Sequence, residues 1–274
     1  MSNGAQDSAL GDIEYLSRSE HRVAILDALC EAPRTRDELR ELSDASSSTV
    51  GRVLEALEQR QWVKHTGGRY EATQLGSHVN DGFQALLNGM AVERQLRSLW
   101  PSLPRQLRED LPLDIIDTGH VTVAGPDAPY RPINQFVELA KQSSSLRFVG
   151  FDLGLVEPCF SEMRRQILDG LDARVIDPPE VVSYLISEYP DDCEAIFSSG
   201  NLNLSVSDEL PEYGIGIFDE SVIICVYDPD AGTIRGLIES DHEAVRSWAM
   251  EQFDHYLETA RPFEKLELSS QLDL

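Results

Sequence analysis

The sequence predicts an α+β protein of two domains, and three observations support this class. Its 274 residues give room for one small domain and one of medium size. Short helical patterns and a glycine-tipped hairpin fill residues 12–74, a long amphipathic helical pattern follows, and strand and helix patterns alternate after residue 112. The expected division is a disordered tail over 1–11, a small domain over 12–74, a linker helix with a proline-containing connection over 75–111, an α/β domain with a mixed sheet over 112–262, and a tail over 263–274.

Capping patterns mark the first helices of the small domain. One helix is expected over about 12–30, and the capping-box spacing of Ser17 and Glu20 suggests that it breaks or starts again there. Thr35 and Glu38 have the same spacing, in which a hydroxyl and a carboxylate each accept a hydrogen bond from a free backbone N–H group. A short second helix is therefore predicted to begin at this pair.

A third helix and a hairpin complete the small domain. Ser46 or Ser47 can cap this helix, and apolar residues then recur every three or four positions at Val50, Leu54 and Leu57. Two strand-like runs over 62–66 and 69–73 are joined by Gly67 and Gly68, which tolerate the positive φ angles of a two-residue turn. This order of helices and hairpin predicts a winged helix-turn-helix.

The small domain is predicted to bind double-stranded DNA. The third helix would enter the major groove, and the hairpin would lie along the minor groove or the phosphate backbone. Arginine is the usual bidentate partner of guanine, so Arg52 is a candidate for base contact. The residues predicted to contact DNA are Arg34, Arg36, Ser46, Ser47, Ser48, Thr49, Arg52, Lys64, His65 and Arg69.

These assignments have alternatives. The small domain could be a module for protein contact, although the outward face of its third helix lacks the large apolar residues of a protein interface. Arg52 could form a salt bridge with Glu55 or Glu58 on its own helix. Arg69 could be a solvated charge of the hairpin.

Charge is distributed unevenly along this acidic chain. The net charge is −25, but residues 34–69 carry seven cationic and six acidic side chains, a net charge of +1. Residues 81–274 carry 14 basic and 35 acidic groups, a net charge of −21. The body of the protein would therefore repel phosphate and favour one orientation of the small domain on DNA.

Lysine is scarce, with three residues against twenty arginines. Abundant carboxylates with few lysines are typical of proteins from a salt-saturated cytoplasm, although an acidic protein of ordinary salinity is the alternative. At molar salt the Debye length is about 3 Å, and the release of counterions drives DNA binding less strongly. Base contacts and shape would then matter more than numerous loose phosphate contacts.

Several classes of protein are disfavoured. The four cysteines are scattered without metal-ligand spacing, so we expect reduced thiols, no metal and no cofactor. No apolar run approaches the roughly 20 residues of a membrane span, and the N-terminus lacks a signal-peptide core. We expect a cytoplasmic protein without membrane contact.

The long helical pattern over 75–100 predicts a dimer. Its apolar stripe is longer than the small domain needs, and two DNA-binding units would increase affinity and set a half-site spacing. Packing of the stripe within its own domain is the alternative. The stripe comprises Leu75, Val79, Phe83, Leu86, Leu87, Met90, Leu96 and Leu99.

The second half alternates between strand and helix patterns. Helices are expected over 133–141, 158–171, 181–188 and 192–197, and Ser240 and Glu243 have capping-box spacing for a final helix. Strands are expected over 115–124, as a pair or one bent strand, and over 146–151, 173–176, 202–206, 213–218, 222–227 and 234–238, with a turn over 228–232.

Two resemblances fit this architecture. The small domain resembles archaeal winged-helix transcription regulators through Ser48, Thr49 and Val50 and through the run from Leu54 to the wing. Most of 110–262 resembles the effector domain of archaeal methanogenesis-type regulators, with kinship to a phospholipase-D-like sensor fold, through 213–219, 222–227, 236–240 and the aromatic residues Trp248, Phe253 and Tyr256. The resemblance implies a regulator whose second domain senses an unknown small molecule or a partner protein.

Candidate ligand residues in this half are few. Asp152 and Asp177 each follow a predicted strand, where α/β proteins often bind ligands, and either could instead be a helix cap or part of a turn. The phospholipase signature His-x-Lys-x-x-x-x-Asp is absent from the sequence. No other pattern indicates an enzyme, although an enzymatic activity in this half remains an alternative.

Overall fold

The structure, a computed structural model, describes residues 3–228 and 232–263, with side chains from residue 9 onward. The chain forms two compact units, and the boundary between them falls between Asn88 and Gly89. The first unit is mainly helical and the second contains a mixed sheet, which confirms the predicted α+β class. No helix among the described residues has the length and apolar character needed to cross a bilayer.

The first unit has the predicted order of helices and hairpin. Its apolar core includes Leu26, Leu39, Leu54 and Leu57, which are at most 1% exposed. Its elements are α1 (Asn3–Ser17), α2 (Glu20–Glu31), α3 (Arg36–Ser43), α4 (Ser47–Gln59), β1 (Val63–Thr66), β2 (Arg69–Ala72) and the first part of α5 (Gln74–Leu99).

The N-terminal part of the first unit differs from the prediction. The prediction of a disordered tail over 1–11 was wrong for the residues described, because α1 begins at Asn3. The single helix over 12–30 is split, as the alternative at Ser17 and Glu20 allowed. The capping box itself does not form, because the Ser17 hydroxyl donates to the Glu14 carbonyl and Ser19 occupies the N-cap position of α2.

The second unit is an eight-stranded mixed sheet with helices on both faces. Its remaining helices are α6 (Arg105–Asp110), α7 (Ile115–Thr118), α8 (Arg131–Gln142), α9 (Leu153–Leu168), α10 (Pro179–Glu188), α11 (Pro190–Ser199) and α12 (Glu243–Thr259), besides a short 3-10 turn over Trp100–Ser102. Its strands are β3 (His120–Val123), β4 (Ser145–Val149), β5 (Asp172–Asp177), β6 (Leu202–Val206), β7 (Tyr213–Ile217), β8 (Val222–Asp228), β9 (Thr233–Ser240) and β10 (Arg261–Pro262).

The sheet order is β10-β6-β5-β4-β7-β8-β9-β3. Strands β4, β5 and β6 are parallel neighbours, whereas the remaining pairs are antiparallel. One face of the sheet packs against α8 to α11, and the other against the end of α5, α6, α7 and α12. The parallel strands β4 and β5 therefore end at the same edge of the sheet.

Two segments before the sheet differ from the prediction. The connection within 101–112 is not a linker, because it contains α6 and buries Leu103, Leu107 and Leu111 against the sheet. The strand pair over 115–124 is a short helix, α7, followed by the single strand β3. The three leucines are spaced four residues apart, as in a helix, but the neighbouring prolines had favoured a linker in the prediction.

Two helices begin elsewhere than predicted. Helix α9 begins at Leu153 rather than Pro158, because the Asp152 carboxylate accepts a hydrogen bond from the Gly154 N–H group at 2.8 Å. The capping box of Ser240 and Glu243 does not form, since Ser240 belongs to β9 and His242 caps α12. Residues 229–231 of the expected 228–232 turn and residues 264–274 of the expected tail lie outside the described residues.

Candidate nucleic-acid interface

The turn between α3 and α4 organises a group of hydroxyls. Ser46 is the N-cap of α4, and its Oγ accepts a hydrogen bond from the Thr49 N–H group at 3.2 Å. The same Oγ lies 3.0 Å from Ser48 Oγ and 2.8 Å from Thr49 Oγ1. Ser46 and Thr49 are therefore engaged in starting the helix, and Ser47 in its first turn is exposed.

Helix α4 has one buried and one exposed face. Val50, Val53, Leu54 and Leu57 are buried in the core of the first unit. Ser47, Ser48 and Arg52 are exposed. The sequence spacing alone therefore located the outward face of this helix correctly.

Arg52 is exposed, and within the part of the chain that the structure describes it has no hydrogen bond or ion pair. The predicted alternative, a salt bridge to Glu55 or Glu58, is not formed there. An exposed guanidinium without a partner retains all five N–H donors for an external acceptor.

The wing is a two-residue hairpin. Strands β1 and β2 pair in antiparallel register, and Gly67 and Gly68 have φ angles of 59° and 83°. A residue with a side chain rarely adopts these angles, so glycine at both positions allows the tight turn. The wing tip is exposed.

Two of the predicted wing residues have partners within the hairpin. Lys64 Nζ lies 2.8 Å from Glu71 Oε1, directly across the strands. The His65 ring stacks on Tyr70, with 4.3 Å between the ring centroids. Both residues remain exposed.

Tyr70 joins the wing to the start of α3. Its backbone forms an isolated antiparallel bridge with Arg34, through hydrogen bonds of 2.9 and 2.8 Å. Its hydroxyl accepts a hydrogen bond from Arg36 Nε at 3.0 Å. The positioning role of Tyr70 was not predicted from the sequence, although the alternation of β2 was an available signal, since Tyr70 is its buried member.

Arg34, Arg36 and Arg69 surround the start of α3. Arg34 lies 3.5 Å from Glu31 in a salt bridge. Arg69 donates from Nη1 to the Pro33 carbonyl at 2.9 Å and to Glu38 Oε2 at 3.3 Å. Arg69 is thus neither freely solvated, as the alternative held, nor fully available to a ligand.

The predicted capping box at α3 is present. The Glu38 N–H group donates to Thr35 Oγ1 at 3.3 Å, and the Thr35 N–H group donates to Glu38 Oε2 at 2.6 Å. The Thr35 backbone hydrogen bond is the main cause that lowers the pKa of Glu38, and the positive charges of Arg69 and Arg34 add to it.

The two candidate ligand residues of the second unit have different environments. Asp152 caps α9, which is the alternative role that the sequence allowed. Asp177 is 4% exposed at the end of β5 and accepts a hydrogen bond from the Phe151 N–H group at 3.2 Å. Burial raises the pKa of Asp177 to about 7, against the opposing effect of that hydrogen bond.

The described residues contain no group of three or more histidine, cysteine and acidic side chains that could hold a metal ion. Cys30, Cys159, Cys193 and Cys225 are free thiols. Burial raises the pKa of Cys159 to about 12 and that of Cys193 to about 11, which keeps both protonated and unreactive at neutral pH.

Two family models match the chain. Residues 129–259 match the model described as "Methanogenesis regulatory protein FilR1, middle domain". Residues 10–95 match the model described as "HVO_A0261 N-terminal domain". The first match lies in the sheet-containing unit, and the second covers the winged helix-turn-helix.

Three solved structures resemble the chain distantly. TrmBL2, described as an archaeal chromatin protein with a novel mode of DNA binding, has 16% identity and a TM-score of 0.42, covering 92% of this chain and 98% of that chain. NucT from Helicobacter pylori has 13% identity and a TM-score of 0.40, covering 53% of this chain and 98% of that chain. Phosphatidylserine synthase from Haemophilus influenzae Rd KW20 has 11% identity and a TM-score of 0.40, covering 53% of this chain and 39% of that chain. These likenesses are too weak to establish a function, and no curated protein matches the sequence.

Proposed function

We propose that the chain is a homodimeric, cytoplasmic transcription regulator of the archaeal winged helix-turn-helix class with a methanogenesis-regulator-type middle domain, as the two family matches support. In this proposal α4 and the wing bind double-stranded DNA. The sheet-containing unit senses an effector.

The single observation that carries the proposal is the exposed, unpaired state of Arg52 among the described residues of α4. Its guanidinium can donate two parallel hydrogen bonds to O6 and N7 of guanine in the major groove. Small exposed serines precede it on the helix, so the backbone of α4 can approach the base edges closely. A large apolar side chain would hinder this approach and would favour a protein partner instead.

Ser47 and Ser48 lie in the first turn of α4 and would contact phosphate. The N-terminus of a helix favours an anion, because its free N–H groups and dipole point toward it. Ser46 and Thr49 already hydrogen-bond to each other at 2.8 Å and would fix the start of the helix rather than touch DNA.

In this proposal the wing helps to position the protein on DNA and adds little to its sequence preference. Lys64 and Arg69 would contact the DNA backbone only by sharing or exchanging their carboxylate partners, Glu71 and Glu38. His65 is held on the Tyr70 ring and can lie along the groove without ordering a flexible side chain. Arg36, tied to the Tyr70 hydroxyl, would reach a phosphate beside α3, and Arg34 would contribute charge there.

The distribution of charge supports one orientation on DNA. The segment 34–69 has a net charge of +1, whereas 81–274 has a net charge of −21. Phosphate repulsion would keep the acidic part away from the duplex. In a haloarchaeal cytoplasm, screening would weaken phosphate contacts and leave the Arg52 contact to determine preference.

A homodimer is proposed from the surface of α5. Val79 and Phe83 pack into the core of the first unit, and Leu96 and Leu99 into that of the second. Between them, the stripe residues Leu86, Leu87 and Met90 are 43–49% exposed. Pairing this stripe with its copy would remove it from water and bring two winged domains together.

Chromatin immunoprecipitation with sequencing in the native host tests the function. A tagged wild-type chain should enrich discrete sites that share a sequence motif, and Arg52→Ala at equal expression should lose most of them. Arg18→Ala removes an equal charge from an exposed position on the same unit and is the matched control. Absence of enriched sites for the wild type, or equal profiles for both arginine variants, would contradict the proposal.

A further inference from the structure

A small apolar chamber lies inside the second unit. Its volume is about 90 Å³, and it lies between helices α9, α10 and α11 and the face of the sheet on which they pack. Ala173 on β5, Phe160 and Met163 on α9, and Val182 and Ile186 on α10 contribute to its wall. All five of these side chains are less than 9% exposed.

Asp177 is the acidic residue of this wall. Its carboxyl group is buried, and among the described residues it accepts one hydrogen bond, from the Phe151 N–H group. A carboxyl group has about four acceptor positions, so it can accept further hydrogen bonds. The other charged residue of the wall, Arg164, lies 2.8 Å from Asp192 in a salt bridge and is already neutralised.

We propose that this chamber binds a small aliphatic molecule whose single terminal O–H or N–H group donates a hydrogen bond to Asp177. The apolar wall would hold the carbon chain, and the carboxyl group would select the donor. That this molecule is the effector of the regulator rests on the proposed function.

The size of the chamber limits the ligand. An engineered apolar cavity of roughly 150 Å³ binds benzene and stays free of water. The present chamber is smaller, so it fits a chain of about five non-hydrogen atoms rather than a substituted ring or a sugar. A water molecule needs two to four polar partners, and a wall of this composition does not provide them.

Phe151 lies where we expect the ligand to enter. It lines the chamber and also a second cavity of about 360 Å³, which lies at the edge of the sheet where β4 and β5 end. Asp152, Pro178 and Tyr227 line that outer cavity. Phe151 is therefore common to the walls of both cavities, and its ring stacks on Phe148 with 3.6 Å between centroids. In this proposal the ligand passes from the outer cavity to the chamber beside this residue.

Three probes of equal size test the proposal on the full chain. The probes n-butanol, n-butylamine and methyl propyl ether each have five non-hydrogen atoms, and only the first two have a donor. Ligand-detected NMR without DNA should give a dissociation constant at least tenfold lower for one of the two donors than for the ether. Preference for the amine would indicate an ionised Asp177, and preference for the alcohol a protonated one.

Variants locate the site. Asp177→Asn keeps the size of the side chain, and its amide oxygen can still accept from Phe151, but it turns a donor group toward the chamber. The preference for a donor probe should therefore disappear. Val182→Leu should fill the chamber and weaken all three probes at least tenfold, with Ala173→Val as a second filling variant if the first fails to fold. Val137→Leu, at a partly buried position outside the chamber, is the matched control and should bind as the wild type does.

Absence of binding to the wild type, equal affinity for ether and donors, or unchanged affinity in a folded filling variant would overturn the proposal. These results do not depend on DNA. A regulator that occupies its genomic sites but binds none of the probes would retain the proposed function and lose only this ligand site.

Discussion

Arg69 on the wing and Glu38 in the first turn of α3 are joined by two contacts, Nη1 to Oε2 at 3.3 Å and Nη2 to Oε1 at 3.4 Å. The same carboxylate accepts the Thr35 N–H group that begins α3. One glutamate therefore caps a helix of the helix-turn-helix and holds the wing next to its tip.

The stability of the first unit should depend on the ionisation of Glu38. The pKa of Glu38 is lowered from 4.5 by the Thr35 N–H group first. The unfolded chain therefore binds the proton more readily than the folded chain. The contribution of ionised Glu38 to stability is thus present above pH 4.5 and is lost as the pH falls through the lowered pKa of the folded state. Glu38→Gln should unfold more readily in urea at neutral pH, and this difference from the wild type should shrink in acid. Glu41→Gln, on the exposed side of the same helix, is the control, and equal behaviour of the two variants would contradict the account.

Two glycines of α5 should respond in opposite directions to alanine. A Cβ atom at Gly76 would lie 1.9 Å from the Trp62 carbonyl oxygen, whereas one at Gly82 would meet nothing within 4 Å. Gly76→Ala must displace the backbone before the wing and should lower the free energy of unfolding by about 1–3 kcal/mol. Gly82→Ala should raise it by roughly 0.5–1 kcal/mol, because alanine loses less backbone entropy in a helix. Thermal unfolding of both variants tests this, and stabilisation by both would refute the close approach.

Asp177 should make the second unit less stable as the pH rises. Its pKa is raised to about 7 by burial, so the folded state holds the proton more tightly than the unfolded state. The protonated Asp177 contributes fully to the free energy of unfolding below pH 3.8, the ordinary pKa of an aspartate. This contribution declines until the pH reaches about 7. Asp177→Asn should therefore gain stability relative to the wild type across that range, on the order of a few kcal/mol. A difference in unfolding free energy that is constant with pH would show that the carboxyl group is not buried as described.

The stripe on α5 should control the oligomeric state. Leu87→Gln should shift the protein toward a monomer in light scattering at molar salt, because it places a polar group in the proposed contact. Leu75→Gln changes another exposed leucine of the same helix, which is 58% exposed and lies eleven residues before Leu86. It should leave the mass unchanged. A wild-type monomer, or a Leu87→Gln dimer as stable as the wild type, would exclude this surface.

Local signals predicted the first unit well. The capping box of Thr35 and Glu38 and the two glycines of the wing depend on residues within a few positions of each other, so the sequence was sufficient to locate them. The partner of Arg69 could not be predicted, since Glu38 lies 31 residues away and meets it only after the hairpin has folded. From the sequence, Arg69 was predicted to contact DNA, with a solvated charge as the alternative, and its contact with Glu38 was not predicted.

Local signals were less informative in the second unit. Asp152 and Asp177 each directly follow a strand predicted from the sequence, yet one caps a helix and the other is buried beside an apolar chamber. That distinction depends on α9 to α11 packing over β5. Similarly, Pro104 favoured a linker in the prediction. Leu107, three residues later, is instead fully buried against strands of the sheet that lie far from it in the sequence.

The most direct measurement is the affinity of the full chain for its enriched genomic sequence, by fluorescence anisotropy at molar potassium chloride. Arg52→Ala should lose about 1–3 kcal/mol of binding free energy and most of its preference over a sequence with one altered guanine. Arg18→Ala should bind as the wild type does. Equal affinity and equal preference for the wild type and Arg52→Ala would contradict the account.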